Sequence, residues 1–425
     1  LNITYVGNFI DFLEFGLFTA LLPFLSQDLL SHYDPHLRAE LCYLAVFAGF
    51  LGRPVGAFFL GKLGDVYGSQ CLLVFSVLGI SAASVLLALL PSNSAYIIEM
   101  IIICRFLQGL FTGAEYSAVV VSATQTSTVR HSYHSVALMT ASGVLGISAA
   151  QLIAFLLALS HMEAMSWRYA FILVSFIGFG VFLKRAFSYR DSWEAPPPRE
   201  SVNIKMYLPE ILACVILVGM INSMFYLVNT FINNYKMIIN LNLVASQFLL
   251  NFIMTAFFPL SIWLWSIYLT RRNYQPFKVL KYSLLSMLLV LPFLFYAYVQ
   301  ALPLWVNIIV QVVFSSCIQL FAIIGISLIP RLFPEAIRVQ ACGIGFNLGI
   351  SLLGGGFPYL CLKLTESTNN LYTPGLAAVG TIILAYISLI VLIIRHPNLK
   401  DRKNLNFDAA NDKMMEKILQ YGYKK

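Results

Sequence analysis

Apolar runs of about 20 residues, set apart by short polar stretches, constrain this chain more than any other feature of its sequence. A helix of that length rises about 30 Å, the thickness of a bilayer's hydrocarbon core. Inside lipid only helices and closed barrels pair every backbone polar group, and runs this long are helical. Read with that ruler, the sequence holds twelve candidate spans: 4–27, 42–62, 71–91, 96–122, 136–159, 169–187, 208–233, 246–270, 280–299, 303–330, 340–363 and 373–395. A polar stretch from Lys184 to Met206, with Pro196, Pro197 and Pro198, separates six spans from six and reads as a linker. The expected fold is therefore an all-α membrane protein of two six-helix bundles. Their expected limits are 1–187 and 208–395, with a linker at 188–207 and a tail at 396–425.

Composition agrees with a lipid environment, because 59% of residues are hydrophobic and 11% charged, against about 25% charged in soluble domains. The net charge of +8 does not point to nucleic acid, since the basic residues lie between apolar runs and not on one face. Lys62, Arg130, a linker cluster (Lys184, Arg185, Arg190, Arg199, Lys205), Arg271, Arg272, Lys278, Lys281, Arg331, Arg338 and the tail fall on one side. Only Arg38, Arg168, Lys236 and Lys363 fall on the other. Lys and Arg concentrate on the cytoplasmic side of membrane proteins, so both termini are expected there. The first run is expected to stay as an uncleaved helix, because Asp11 and Glu14 interrupt what would be a signal-peptide core. The seven cysteines are scattered without a C-x-x-C pair and suit packing better than a disulfide or metal site. No cofactor or metal is expected, and the bilayer is the first expected partner.

Ionisable groups inside a span cost about 2.5–3.5 kcal/mol each on insertion, so each needs a reason. Asp11 and Glu14 stand three residues apart, on one face of the first helix. Two acids in a dry site repel, and a bound proton relieves the repulsion, which suits the pair to carry protons; a static pair held by arginines or backbone donors is the alternative. The fourth span holds Arg105, Gln108 and Glu115. Arg105 keeps its charge, so it needs a carboxylate, a carbonyl cluster or an anionic substrate. Either a ligand or the first-helix acids would serve. Glu115 lies nearer the cytoplasmic end and reads as a pairing or gating residue, third in the proton-coupling set. Gly109 and Gly113 invite a close helix approach. Phe225, Tyr226 and Asn229 of the seventh span, with Asn222, could face a cationic substrate, although span aromatics more often face lipid. The eleventh span, with Asn347, Gly354, Gly355, Gly356 and Pro358, reads as a weakened helix suited to movement.

These residues resemble the major facilitator superfamily, and within it the metabolite:proton symporters of proline and betaine, α-ketoglutarate, citrate and shikimate. The first-helix run G-N-F-I-D-F-L-E-F (Gly7 to Phe15) is similar to the group's motif with its acids in swapped identity. R-P-V-G (Arg53 to Gly56) and G-K-L-G-D-V-Y-G (Gly61 to Gly68) resemble the loop between the second and third helices. R-F-L-Q-G-L-F-T-G-A-E-Y (Arg105 to Tyr116) resembles the fourth-helix signature, and W-R-Y-A-F (Trp167 to Phe171) the start of the sixth. L-F-P-E-A-I-R (Leu332 to Arg338), F-N-L and T-E-S-T-N-N-L are most similar to the proline/betaine branch. The resemblance implies proton-coupled import of a small-molecule substrate by a chain working as a monomer in a bacterial inner membrane; Arg105, Gln108, Phe225, Tyr226, Asn229 and Asn347 are the expected substrate residues, and Gly61, Asp65, Gly68, Arg130 and Arg338 the expected gate. A carboxylate-bearing zwitterion is expected over a di- or tricarboxylate, because Arg105 is read as the one permanent cation deep in the first bundle. Ser69 and Gln70 stand where two basic residues are usual, and residues 396–425 hold too few heptads for the long coiled coil of osmosensing carriers, so osmotic activation is not expected. An exchanger and a transport-dead membrane sensor are the rival readings.

Overall fold

The fold is described from a computed structural model covering residues 3–30, 32–33, 35–67, 69–92, 94–125, 129–160, 164–188, 202–232, 245–271, 274–300 and 302–396. Gly68, Lys236, most of the expected linker and the charged tail lie outside the described residues, as do the side chains of Asp65 and Arg130. Every expected span is helical. α1 (Ile3–Ala20) and α2 (Leu22–Leu29) form the first, with a bend at Leu21 beside Pro23. α3 (Pro35–Tyr67), α4 (Ser69–Ala88), α5 (Ile97–Gln125), α6 (Val129–Leu159) and α7 (Trp167–Ser188) are spans two to six. α8 (Leu208–Tyr226), α9 (Ala245–Arg271), α10 (Pro276–Val299) and α11 (Leu304–Leu328) follow. The eleventh span is divided into α12 (Arg338–Leu348) and α13 (Phe357–Thr368), and α14 (Thr373–Arg395) is the last. Strands are absent among the described residues, and ten stretches are long and apolar enough to cross a bilayer. Large apolar side chains such as Phe176, Leu289 and Leu376 are at least 70% exposed on the outer faces, where lipid takes the place of a core.

Two irregularities bear on movement. The Gly-rich segment Gly349–Gly355 is a π-helical turn between α12 and α13, as its weak helical composition led us to expect. A second π turn, Leu227–Ile232, continues α8 at Tyr226 and has no such glycine signal. π turns leave backbone groups out of register with the α ladder and occur often at functional sites.

α1 packs along α6 and α7, α3 along α5, and α4 against α5 and α7. The close approach of α3 to α5 depends on glycine: a Cβ on Gly109 would stand 1.8 Å from the Gly49 carbonyl oxygen, and one on Gly113 2.1 Å from that of Arg53. In the later spans α8 packs on α12, α14 and the Gly349–Gly355 turn, and α11 joins α9 to α10. The earlier and later spans meet where α3 lies against α12 and α6 against α9. Pro54 strengthens the first of these contacts. It has no N–H, so the carbonyl of Phe50, four residues earlier, loses its helical donor. Ser351 takes up that oxygen, its Oγ donating at 2.6 Å.

Two placements differ from expectation. Arg185 was expected among solvated linker cations but is 0% exposed and points into the first six spans. Arg53, matched to a loop motif, sits in the middle of α3 and is 1% exposed. Both follow from partners no local pattern reveals: Glu115 for Arg185, and Asn347 with three aromatic rings for Arg53.

Candidate functional site

The buried charges gather between the first four spans and α7. Asp11, Glu14, Glu115, Arg53, Arg105 and Arg185 are each at most 1% exposed. Asp11 and Glu14, which share a helix face, enter two separate networks.

Glu14 turns toward α4. It accepts from Ser84 Oγ at 2.5 Å and from Ser81 Oγ at 3.2 Å. Ser84 Oγ in turn accepts from Gln108 Nε2 at 2.7 Å, and Gln108 Oε1 accepts from Arg105 Nη1 at 2.8 Å. Arg105 is thus linked to the acid through two neutral side chains and touches neither first-helix carboxylate. Its guanidinium lies over the Phe18 and Phe15 rings, at 4.1 and 4.7 Å from their centroids. Cation–π attraction holds the charge in place. Its Nε and Nη2 have no hydrogen-bond acceptor, so the fork keeps unused donors.

Arg53 is the second cation, and the sequence reading missed it. Its Nε donates to Asn347 Oδ1 at 3.3 Å, and Nη2 has no acceptor. Phe12, Phe15 and Tyr116 surround the guanidinium with centroids at 5.8, 5.4 and 5.7 Å. The Phe15 ring therefore contacts both Arg53 and Arg105. Neither makes an ion pair with a carboxylate among the described residues. The signal for Arg53 was available, since the rule applied to Arg105, a permanent charge inside a span, applies to it equally.

The remaining expected substrate residues line the far wall. Asn347 Nδ2 donates to Gly113 O at 3.1 Å and Gly343 O at 2.8 Å, so this one amide joins α12 to both α3 and α5. Tyr226 sets its ring edge against Phe50 at 5.6 Å, and Phe225 packs on Phe258 at 5.2 Å. The Asn229 amide donates to Phe225 O within its own turn. In the expected gate, Gly61 approaches Gln340, whose Cα would lie 3.7 Å from a Cβ there. Arg338 Nε donates to the Phe333 carbonyl at 3.2 Å. A small cavity lined by Phe18, Leu22, Leu25, Leu41 and Ile101 adjoins Arg105 through the Phe18 ring and has no charged side chain in its lining.

Buried guanidiniums, buried acids and a seam crossing two sets of spans describe a carrier more than a soluble catalyst, and the sequence profile of the Major Facilitator Superfamily matches residues 4–358. The chain belongs to the Major Facilitator Superfamily. It is 24% identical over 407 residues to the proline/betaine transporter of Escherichia coli (strain K12), covering 87% of this chain and 78% of that one. A protein of Staphylococcus haemolyticus (strain JCSC1435), provisionally named a proline/betaine transporter, is 25% identical over 436 residues, covering 96% and 92%. Among solved structures, the proton:xylose symporter XylE bound to 6-bromo-6-deoxy-D-glucose matches with a TM-score of 0.73 at 12% identity, covering 92% and 94%. The human organic anion transporter MFSD10 matches with a TM-score of 0.68 at 12% identity, covering 91% and 98%. At such identity the structures establish the twelve-helix fold alone. As a Major Facilitator protein the chain is a multi-pass membrane transporter of small molecules and not an enzyme.

Proposed function

We propose that this Major Facilitator protein imports a small carboxylate-bearing metabolite, a zwitterion such as proline or a betaine, by proton symport with alternating access. One observation carries the substrate class: Arg53 and Arg105 are buried side by side at the Phe15 ring, keep unused donors, and have no protein carboxylate paired to them among the described residues. A dry guanidinium needs an anion, and a carboxylate fits its fork with two parallel hydrogen bonds. The rings of Phe50, Tyr116 and Tyr226 supply an adjoining surface for an alkylated ammonium. The names of the bacterial relatives point to the same substrates.

Arg53 also favours a second reading, a dicarboxylate. The sequence argument against one was the lack of a second deep cation, and Arg53 supplies it. In either reading Glu14, joined to Arg105 through Ser84 and Gln108, and Asp11 beside Glu115 carry the proton, and rocking of spans 1–6 against spans 7–12 at the α3–α12 and α6–α9 seams moves the load. The face on which the chain begins is taken as cytoplasmic, in a bacterial inner membrane.

The test is uptake into proteoliposomes with an imposed inward proton gradient. Labelled proline and glycine betaine should accumulate and collapse with a protonophore, while succinate and citrate should not. Accumulation of succinate without proline would replace the first reading by the second. Binding with no accumulation of any of the four would support a sensor.

A further inference from the structure

Arg185 comes from the last turn of α7, yet its guanidinium is fully buried against α1, α4 and α5. Nη2 pairs with Glu115 Oε1 at 2.7 Å and Nη1 donates to the Leu73 carbonyl at 2.6 Å. Gly7 makes the room, because a Cβ there would lie 1.8 Å from Nη2. Ser76 Oγ donates to the other oxygen of Glu115 at 2.5 Å. Asp11, one turn after Gly7 on the same face of α1, is buried there in the field of Arg185 and Glu115, and neither of its oxygens receives a hydrogen bond. Ionised carboxylates have no hydrogen to offer each other, so Asp11 and Glu115 can bond only when a proton lies between them.

We propose that Arg185 is the positioning residue of the proton site: its guanidinium balances one of the two acids, so that Asp11 and Glu115 together hold one exchangeable proton. The proposal rests on the symport reading for its direction of travel. With Glu14 and Arg53 counted as well, three carboxylates face two guanidiniums among the described residues of this dry pocket, which leaves one negative charge uncompensated, and a single proton removes it. Loading forms an O–H bond on Asp11 with a proton from water on one face. Release breaks that bond and returns the proton to water on the other, leaving Asp11 to compete with Glu115 for the guanidinium. The other charged groups facing Asp11 are Glu14 on its own helix and Arg53 from α3. α6 packs along α1 through the Asn8 amide, which donates to Met139 O and Ser142 Oγ.

The experiment is infrared spectroscopy of the substrate-free protein in phosphatidylethanolamine/phosphatidylglycerol vesicles at neutral pH, paired with proline-driven proton uptake. The wild type should show a protonated-carboxyl band whose Asp11 component Asp11→Asn removes. Arg185→Gln should intensify the band, since both acids then keep a proton, and Glu115→Gln should weaken it, since Asp11 then has the guanidinium to itself. Proton uptake should fall about tenfold or more in Arg185→Gln and return in large part in Arg185→Lys. A band unchanged by both amide substitutions overturns the proposal, as does wild-type proton uptake in Arg185→Gln. Should Arg185→Gln not fold, the isosteric Glu115→Gln decides by the same band. Failure of proline, glycine betaine, succinate and citrate alike to accumulate in the wild type would overturn the symport reading instead, and the substrate-free spectra would still decide the role of Arg185.

Discussion

Arg105 shows how a permanent charge is tolerated inside a membrane helix without a counter-ion in contact. Two phenyl faces and one amide oxygen hold it, and two donor positions stay open. Arg105→Lys keeps the charge but loses the planar fork, so proline binding should weaken by about tenfold or more, the worth of one charge-assisted hydrogen bond. Isothermal titration against purified protein would read it, and unchanged affinity would reduce Arg105 to a structural cation. Arg53→Gln separates the two substrate readings. Removing the second cation should abolish dicarboxylate binding outright but weaken a zwitterion only in part. Asp11 and Glu14 show the limit of reading residues locally. Their three-residue spacing places them on one face, but α4 offers Ser81 and Ser84 to one while α5 and α7 offer Glu115 and Arg185 to the other. No spacing within α1 carries that information.

At the scale of elements, the seam between α3 and the eleventh span is held by a defect in one helix and a repair from another. Ser351→Ala leaves the Phe50 carbonyl buried without a donor, at a cost of about 1–3 kcal/mol. Melting in detergent should therefore begin several degrees lower. Pro54→Ala restores an N–H four residues after Phe50 and should recover much of that loss when combined with Ser351→Ala. Additive losses in the double variant would show that the carbonyl is satisfied in some other way. The α3–α5 contact is less forgiving. Gly109→Ala places a methyl on backbone, not on a side chain that can turn away, so the two helices must separate. The expected result is loss of folded protein on size-exclusion chromatography, whereas alanine at Gly180, with open space around it, should be silent. The break in the eleventh span was legible from its glycines. The π turn at Leu227–Ile232 was not, because no glycine or proline marks it.

For the whole molecule, topology and coupling are the quantities to measure. Reporter fusions after Arg190, Arg272 and Arg395 should report cytoplasm, and one between Ser31 and Arg38 should report the outside. A cytoplasmic signal from that first loop would overturn the proposed orientation. With one proton moved per neutral substrate, a driving force of 100 mV is worth about 2.3 kcal/mol, and proline should accumulate roughly fifty-fold. A plateau near equal concentrations inside and out would mean facilitated diffusion.

The amino-acid sequence by itself determined the membrane environment, the number of spans and roughly where each lies, because hydrophobic length is a local property and lipid leaves the backbone no choice but the helix, although helices such as α3 and α6 begin well before their apolar runs. It also marked which helices carry costly charges. What only the tertiary structure decided was how those charges are shared: Arg53 joining Arg105 at Phe15, Arg185 turned inward to Glu115, and Asp11 and Glu14 divided between two networks. The physical reason is that a buried charge is settled by whatever partner lies within a few ångströms across a helix interface, and such partners come from spans as distant in sequence as α1 and α7, or α3 and α12.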